Sequence, residues 1–347
     1  MSRWWLVRNS ILVLYLAGWA ARRLARTVRC PSASVILMAS LLGDKMRVLL
    51  RKVKFTEDHL VKRLRWVMIG AMLFSAINTL VCQRASFWLN PETAIRGDGL
   101  SVHNSTNHTF EFFLGNGWRA YVAACLIYFT AAFLLVSILP KRAALTAIFT
   151  FLFGHFYGAT NWIANGWRLG IQGLTFYAIA LSTVLAVVAV AAPGAGALEL
   201  RRLRWVVSAP LVIDFAFTLI GQPGSYWAHP ETVHEANALS RYFLEQGWTA
   251  FVLYDVVYVS MVFLLVSKLP ETTAAICGFS FMFGGFAGAS NWLFYEWRMG
   301  MIAPVLFGVV LSAVLVRFAF PLWRLEAGAA AGREDQCALE GCGLGLW

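Results

Sequence analysis

Phe153-Gly154-His155-Phe156-Tyr157-Gly158-Ala159-Thr160-Asn161-Trp162 and Phe283-Gly284-Gly285-Phe286-Ala287-Gly288-Ala289-Ser290-Asn291-Trp292 are two versions of one decapeptide, 130 residues apart. The match extends outward. Trp167-Arg168-x-Gly170 answers Trp297-Arg298-x-Gly300, Gly117-Trp118 answers Gly247-Trp248, and the run from Phe133 to Pro140 answers that from Phe263 to Pro270. Further upstream the offset becomes 139: Arg63-Leu64-Arg65-Trp66-Val67 recurs as Arg202-Leu203-Arg204-Trp205-Val206, and Pro91-Glu92-Thr93 as Pro230-Glu231-Thr232. So long a series of matches predicts an internal duplication, which governs the reading of everything else.

Composition sets the class. Of 347 residues, 59% are hydrophobic and only 14% charged, and mean hydropathy is +0.64. Soluble domains carry ~25% charged residues, so a soluble globular protein is excluded, as is a disordered one. Eight apolar stretches read as spanning helices, near 66–82, 119–139, 143–163, 169–192, 205–221, 248–267, 273–294 and 299–320. Most approach the ~20 residues needed to cross ~30 Å of hydrocarbon. The expected fold is an all-α integral membrane protein of two tandem parallel four-helix repeats, with an extra N-terminal helix as a candidate over 4–21. An even number of helices per copy gives both copies the same orientation, as in transporters with parallel repeats.

Charge sorts the chain further. Residues 1–65 hold 14 Lys/Arg against Asp44, Glu57 and Asp58, and so account for the whole net charge of +11. Basic groups beside a spanning helix set topology and touch anionic headgroups, so nucleic acid is not an expected partner. The expected partners are the bilayer, anionic lipid at the basic segment and an unidentified small solute, with a homo-oligomer left open. The positive-inside rule puts the linker and C-terminus in the cytoplasm, with the plasma (inner) membrane of a bacterium as the expected location. The organisation expected is a basic segment over 1–62, repeat one over 63–192, a linker over 193–201, repeat two over 202–320 and a tail over 321–347. Connections 83–118 and 222–247 then face outward, the first carrying sequons at Asn104 and Asn107.

Candidate sites follow from polar groups in apolar surroundings. Gly154-x3-Gly158 and Gly284-x3-Gly288 predict close helix packing, with Asn161 and Asn291 on the same faces, either bonding across a seam or lining a solute path. An Asp at the bilayer centre costs ~2.5–3.5 kcal/mol on insertion scales, so it faces a partner or a cavity. Asp214 and Asp255 fall at one depth on consecutive helices, where two carboxyls do not both ionise cheaply. With His155 they are the proton-linked or transport candidates. Their counterparts are Ser75, Cys125 and Gly285, so any such site is asymmetric. The loop residues His229, Glu231, His234, Glu235 and Asn237 could form an outward metal or acid/base site, although no His-Glu-x-x-His helix is present. The six cysteines show no zinc spacing, and neither a metal nor a cofactor is expected.

Asp214-x-x-x-Thr218 followed by Glu235-x-Asn237 resembles a pattern, Asp-x-x-x-Thr then Glu-x-Asn-Pro, of an uncharacterised family of small bacterial multi-pass membrane proteins, across roughly residues 205–270. Ala238 stands where that family has Pro. The resemblance implies residues to test and no activity. The leading expectation is permease-like, non-enzymatic handling of a small solute or ion in a cavity between the two halves. A membrane enzyme using the outer loop, and a scaffold without a site, are the alternatives.

Overall fold

The computed structural model describes residues 59–83, 85–89, 108–190, 198–235 and 237–320. The expected helix at 4–21, both sequon asparagines, most of the linker and the C-terminal tail lie outside them. Among the described residues the chain is helical throughout, without a strand. In order come α1 His59–Val81, the short α2 Ala85–Leu89 and α3 His108–Gly115, then α4 Trp118–Ile138, α5 Lys141–Asn161 and α6 Gly170–Val190. The second half continues with α7 Leu200–Ile220, the short α8 Ala238–Glu245, α9 Trp248–Lys268, α10 Glu271–Asn291 and α11 Ile302–Ala319. Eight of these are long and apolar enough to cross a membrane, which is consistent with a multi-pass membrane protein.

The helix bounds agree with the apolar stretches to within a turn except at two starts. Helices α1 and α7 begin at His59 and Leu200, ahead of the apolar runs. Lys62, Arg63 and Arg65, and likewise Arg201, Arg202 and Arg204, are therefore helical. Long basic side chains keep their heads polar while their stems follow the helix. Several ends are local consequences of Gly and Pro. Helices α4 and α9 start after Gly117 and Gly247, at φ 96° and 104°, and α5 and α10 start after Pro140 and Pro270.

Corresponding segments carry the same local geometry. Each of α5 and α10 runs into a π-turn, closed by Trp167 N–H donating to Trp162 O at 3.0 Å and by Trp297 N–H donating to Trp292 O at 2.9 Å. Arg168 and Arg298 follow, both left-handed, at φ 56° and 52°. Two non-glycine residues in that region at matched positions mark the same tight reversal.

Helices α5 and α10 form the centre. Helix α5 packs chiefly on α1 and α11, and α10 chiefly on α7 and α6, whereas α5 barely meets α6 and α10 barely meets α11. The last helix of each half thus lies on the central helix of the other. Between α5 and α10 the seam is phenylalanine. Phe153 meets Phe283 at 5.1 Å and Phe286 at 4.8 Å, Phe156 meets Phe283 at 4.7 Å, and Phe149 lies 6.1 Å from Phe279. All six rings are buried, and tilted pairs at these separations add about 0.5–1.5 kcal/mol each beyond burial. A void of about 30 Å³ lies to one side, among Thr150, Gly154, Tyr157 and Gly308.

Candidate functional site in the second half

The candidate site is built from α7, α9, α10 and the loop 222–247. Pro210 lies inside α7, and at that level α7 comes onto the α10 backbone. A Cβ added at Gly285 would meet Pro210 C and Leu211 N, each at 3.0 Å. One turn on, a Cβ at Gly288 would land on the Asp214 carboxyl. Gly288 is therefore the notch that holds Asp214. In the first half the equivalent notch, Gly158, faces Ser75 Oγ, 3.3 Å from a Cβ. The carboxylate thus stands at Gly288 where a hydroxyl stands at Gly158.

This revises the expected glycine packing. Gly154 and Gly284 are open, with nothing within 4 Å of an added Cβ. The close approaches run through Gly158, Gly285 and Gly288, because α5 and α10 turn that face, not the Gly154 and Gly284 face, toward α1 and α7. Asn161 is half-buried and Asn291 exposed. Two turns before these amides, Phe153 and Phe283 pack against each other at 5.1 Å.

Asp214 lies within electrostatic reach of both Asp255 and Glu235. Neither aspartate takes part in a salt bridge among the described residues, and Asp255 Oδ1 is buried without a hydrogen-bond partner. Buried polar atoms normally find one, so the pair is a costly arrangement inside an apolar bundle. Aromatic rings wall it. Tyr254 stacks on Phe243 of α8 at 4.5 Å, and Tyr258 approaches Phe215 of α7 at 5.6 Å.

Loop 222–247 is tied over this region by Gln222. Its Nε2 donates to His234 O at 3.0 Å and to Thr218 O at 2.8 Å, while its Oε1 accepts from His234 N–H at 2.8 Å. Trp292 Nε1 donates to Thr218 Oγ1 at 2.9 Å. His234 Nε2 sits 3.6 Å from Glu296 Oε1 at the surface. Tyr226, 1% exposed, donates to Leu244 O at 3.1 Å, and burial pushes its hydroxyl above the ordinary tyrosine value.

The other loop candidates have local roles. His229 pairs with Glu231 at 3.2 Å, both exposed. Glu235 Oε1 accepts from Asn237 N–H at 2.7 Å, and Asn237 Oδ1 accepts from Leu239 N–H at 3.1 Å as the N-cap of α8. Side-chain capping of that kind satisfies an otherwise orphaned helix donor. The histidines are held by different partners, and among the described residues no three His, Cys, Asp or Glu side chains converge as metal ligands. His155 lies apart from this site, in α5, leaning on Tyr128 at 5.7 Å.

Sequence reasoning missed Gln222 and Trp292. Both recur, as Gln83 and Trp162, and that recurrence was the available signal. No protein-family model, no curated protein and no solved structure matches this chain. The resemblance over 205–270 accordingly supplies residues and no activity.

Proposed function

We propose that this is a permease-like integral membrane protein whose working site is the carboxylate pair Asp214 and Asp255, handling a proton or small cation. The reading places the site inside the second of two tandem repeats, not between the halves. The observation that carries it is the Asp214 carboxyl seated in the Gly288 notch, within reach of Asp255 and Glu235 and, among the described residues, without a salt-bridge partner. A buried pair of acids with no counter-charge favours whatever positive charge can reach it. Loop 222–247, pinned through Gln222, covers the approach from its side. On this reading the first half, with Ser75 and Cys125 at the same positions, is the scaffold that holds α10 through the seam.

The proposal keeps the organisation expected from the sequence: repeats over 63–192 and 202–320, the linker cytoplasmic, and the loop with His229, Glu231, His234 and Glu235 outward. It locates the chain in a bacterial plasma membrane, on charge distribution alone.

A thermal-shift panel tests it. The purified protein is melted in detergent at constant ionic strength with sodium, potassium, ammonium or ethylammonium chloride, at pH 6 and pH 8. At least one cation, or the pH step itself, should shift the melting temperature of the parent and of Ser75→Ala, but not of Asp214→Asn. A parent whose melting ignores both, or an Asp214→Asn variant that responds like the parent, contradicts the proposal.

A further inference from the structure

At the opposite end of each half from its long loop, one arginine is folded into the bundle. Arg65, on α1, is 8% exposed. Its Nη1 donates to Ser137 Oγ near the end of α4, and its guanidinium lies 4.5 Å from the Phe133 ring centroid. Arg204, on α7, repeats the arrangement. Its Nη1 donates to Ser267 Oγ at 3.0 Å, and it lies 4.7 Å from the Phe263 ring. Arginine is the side chain suited to such a place, since its plane stacks on a ring while its edges donate.

Each guanidinium is left incomplete in the same way. With Nη1 committed to serine, Nε and Nη2 remain. In both residues Nε is shut away from solvent without an acceptor. No carboxylate forms a salt bridge with either arginine among the described residues. A guanidinium nitrogen buried without a partner is expensive, and here it occurs twice at matched positions. Nη2, which makes no hydrogen bond among the described residues, is the nitrogen left for an oxygen of an anion.

The surroundings say which anion. Trp66 and Trp205 follow the two arginines directly, are 56% and 65% exposed, and rest on the same phenylalanines, at 5.5 Å and 4.6 Å. Exposed tryptophans at the ends of apolar helices sit at headgroup level. Lys62 and Arg201, three residues earlier and so on the same face, add a second cation to each cluster. With alternating helices, both clusters fall on one side of the membrane.

We propose that Arg65 and Arg204 each bind the phosphodiester of an anionic phospholipid, giving one headgroup site per half. Nη2 takes a phosphate oxygen, Ser137 or Ser267 holds Nη1, and the tryptophan lies beside the glycerol. These sites are independent of the Asp214–Asp255 reading and stand if it fails.

The test uses the full chain in detergent, titrated with phosphatidylglycerol, phosphatidylcholine or inorganic phosphate while melting is followed. Phosphatidylglycerol should raise the melting temperature. About half of that rise should be lost in Arg65→Gln and in Arg204→Gln, and all of it in the double variant. Phosphatidylcholine and inorganic phosphate should give no comparable rise. Equal shifts from phosphatidylcholine, a full effect of inorganic phosphate alone, or a double variant that keeps the phosphatidylglycerol shift each overturns the proposal. Should the glutamine variants not fold, native mass spectrometry of the parent decides. It should retain two phosphatidylglycerol molecules in competition with phosphatidylcholine, and retention without preference overturns the assignment.

Discussion

The two halves share a frame and differ in what they bury in it. Both end their central helix in a π-turn and a left-handed arginine, and both stack an arginine on a phenylalanine beside a serine. At the glycine notch they part. Gly158 faces a hydroxyl and Gly288 a carboxylate. At the next helix Cys125 faces the small cluster of Phe87, Leu114 and Tyr121, whereas Asp255 keeps a carboxylate oxygen buried and unpartnered. Among the described residues of these two notches, the carboxylate stands in the second half only.

The seam is the element both halves own, so it should respond alike from either side. Phe153→Ala or Phe283→Ala removes a fully buried ring and should cost about 3–5 kcal/mol each, seen as a comparable fall in detergent melting temperature. A large loss from one side and none from the other would show that the stack is not shared.

The notch separates the halves. Gly288→Ala collides with the Asp214 carboxyl and should cost about 1–3 kcal/mol, by the mechanism of overpacking. Gly158→Ala meets only Ser75 Oγ at 3.3 Å and should cost less. Gly288→Ala with Asp214→Ser replaces the colliding carboxylate by the shorter hydroxyl found in the first half and should recover most of the loss. Gly154→Ala and Gly284→Ala, at open positions, should melt as the parent does or slightly higher, since alanine is the better helix former. Equal penalties at all four glycines would remove the distinction.

Smaller effects mark the loop over the second half. Gln222→Ala strands the His234 N–H and should cost about 1–3 kcal/mol, read as faster amide exchange across residues 222–235. Tyr226 has its titration pushed upward by burial, so above the unfolded tyrosine value of ~10 the folded state retains more protons than the unfolded one. Stability should therefore fall as pH rises through that range. Tyr226→Phe should lose about 1 kcal/mol near neutrality and flatten the alkaline fall. An unchanged alkaline slope would mean that another group sets it.

Much of this architecture was legible in the sequence, because crossing a membrane requires long apolar runs and the landmarks at 153–162 recur at 283–292. All eight long helices fall on stretches readable from hydropathy. The aspartates were legible too, since charge inside an apolar run is conspicuous. Pairing was harder to read. Small residues at 154, 158, 284 and 288 look alike along a sequence, and only the rotation of α5 and α10 about their axes decides which of them meets a neighbour. The exchange of α6 and α11 between halves is a matter of which helices touch, which hydropathy does not encode. Arg65 and Arg204 read as topology signals because their contacts are with Phe133, Ser137, Phe263 and Ser267, some 60–70 residues away.

The claim that the second half alone carries a titrating acidic site is tested most directly by infrared difference spectroscopy between acidic and alkaline buffer. It compares the parent with Asp214→Asn, Asp255→Asn, Ser75→Ala and Cys125→Ala in lipid. A carboxyl C=O band that titrates in the parent should persist in the two first-half variants and be lost or displaced in both asparagine variants. A parent spectrum that the asparagine substitutions leave unchanged would contradict the account.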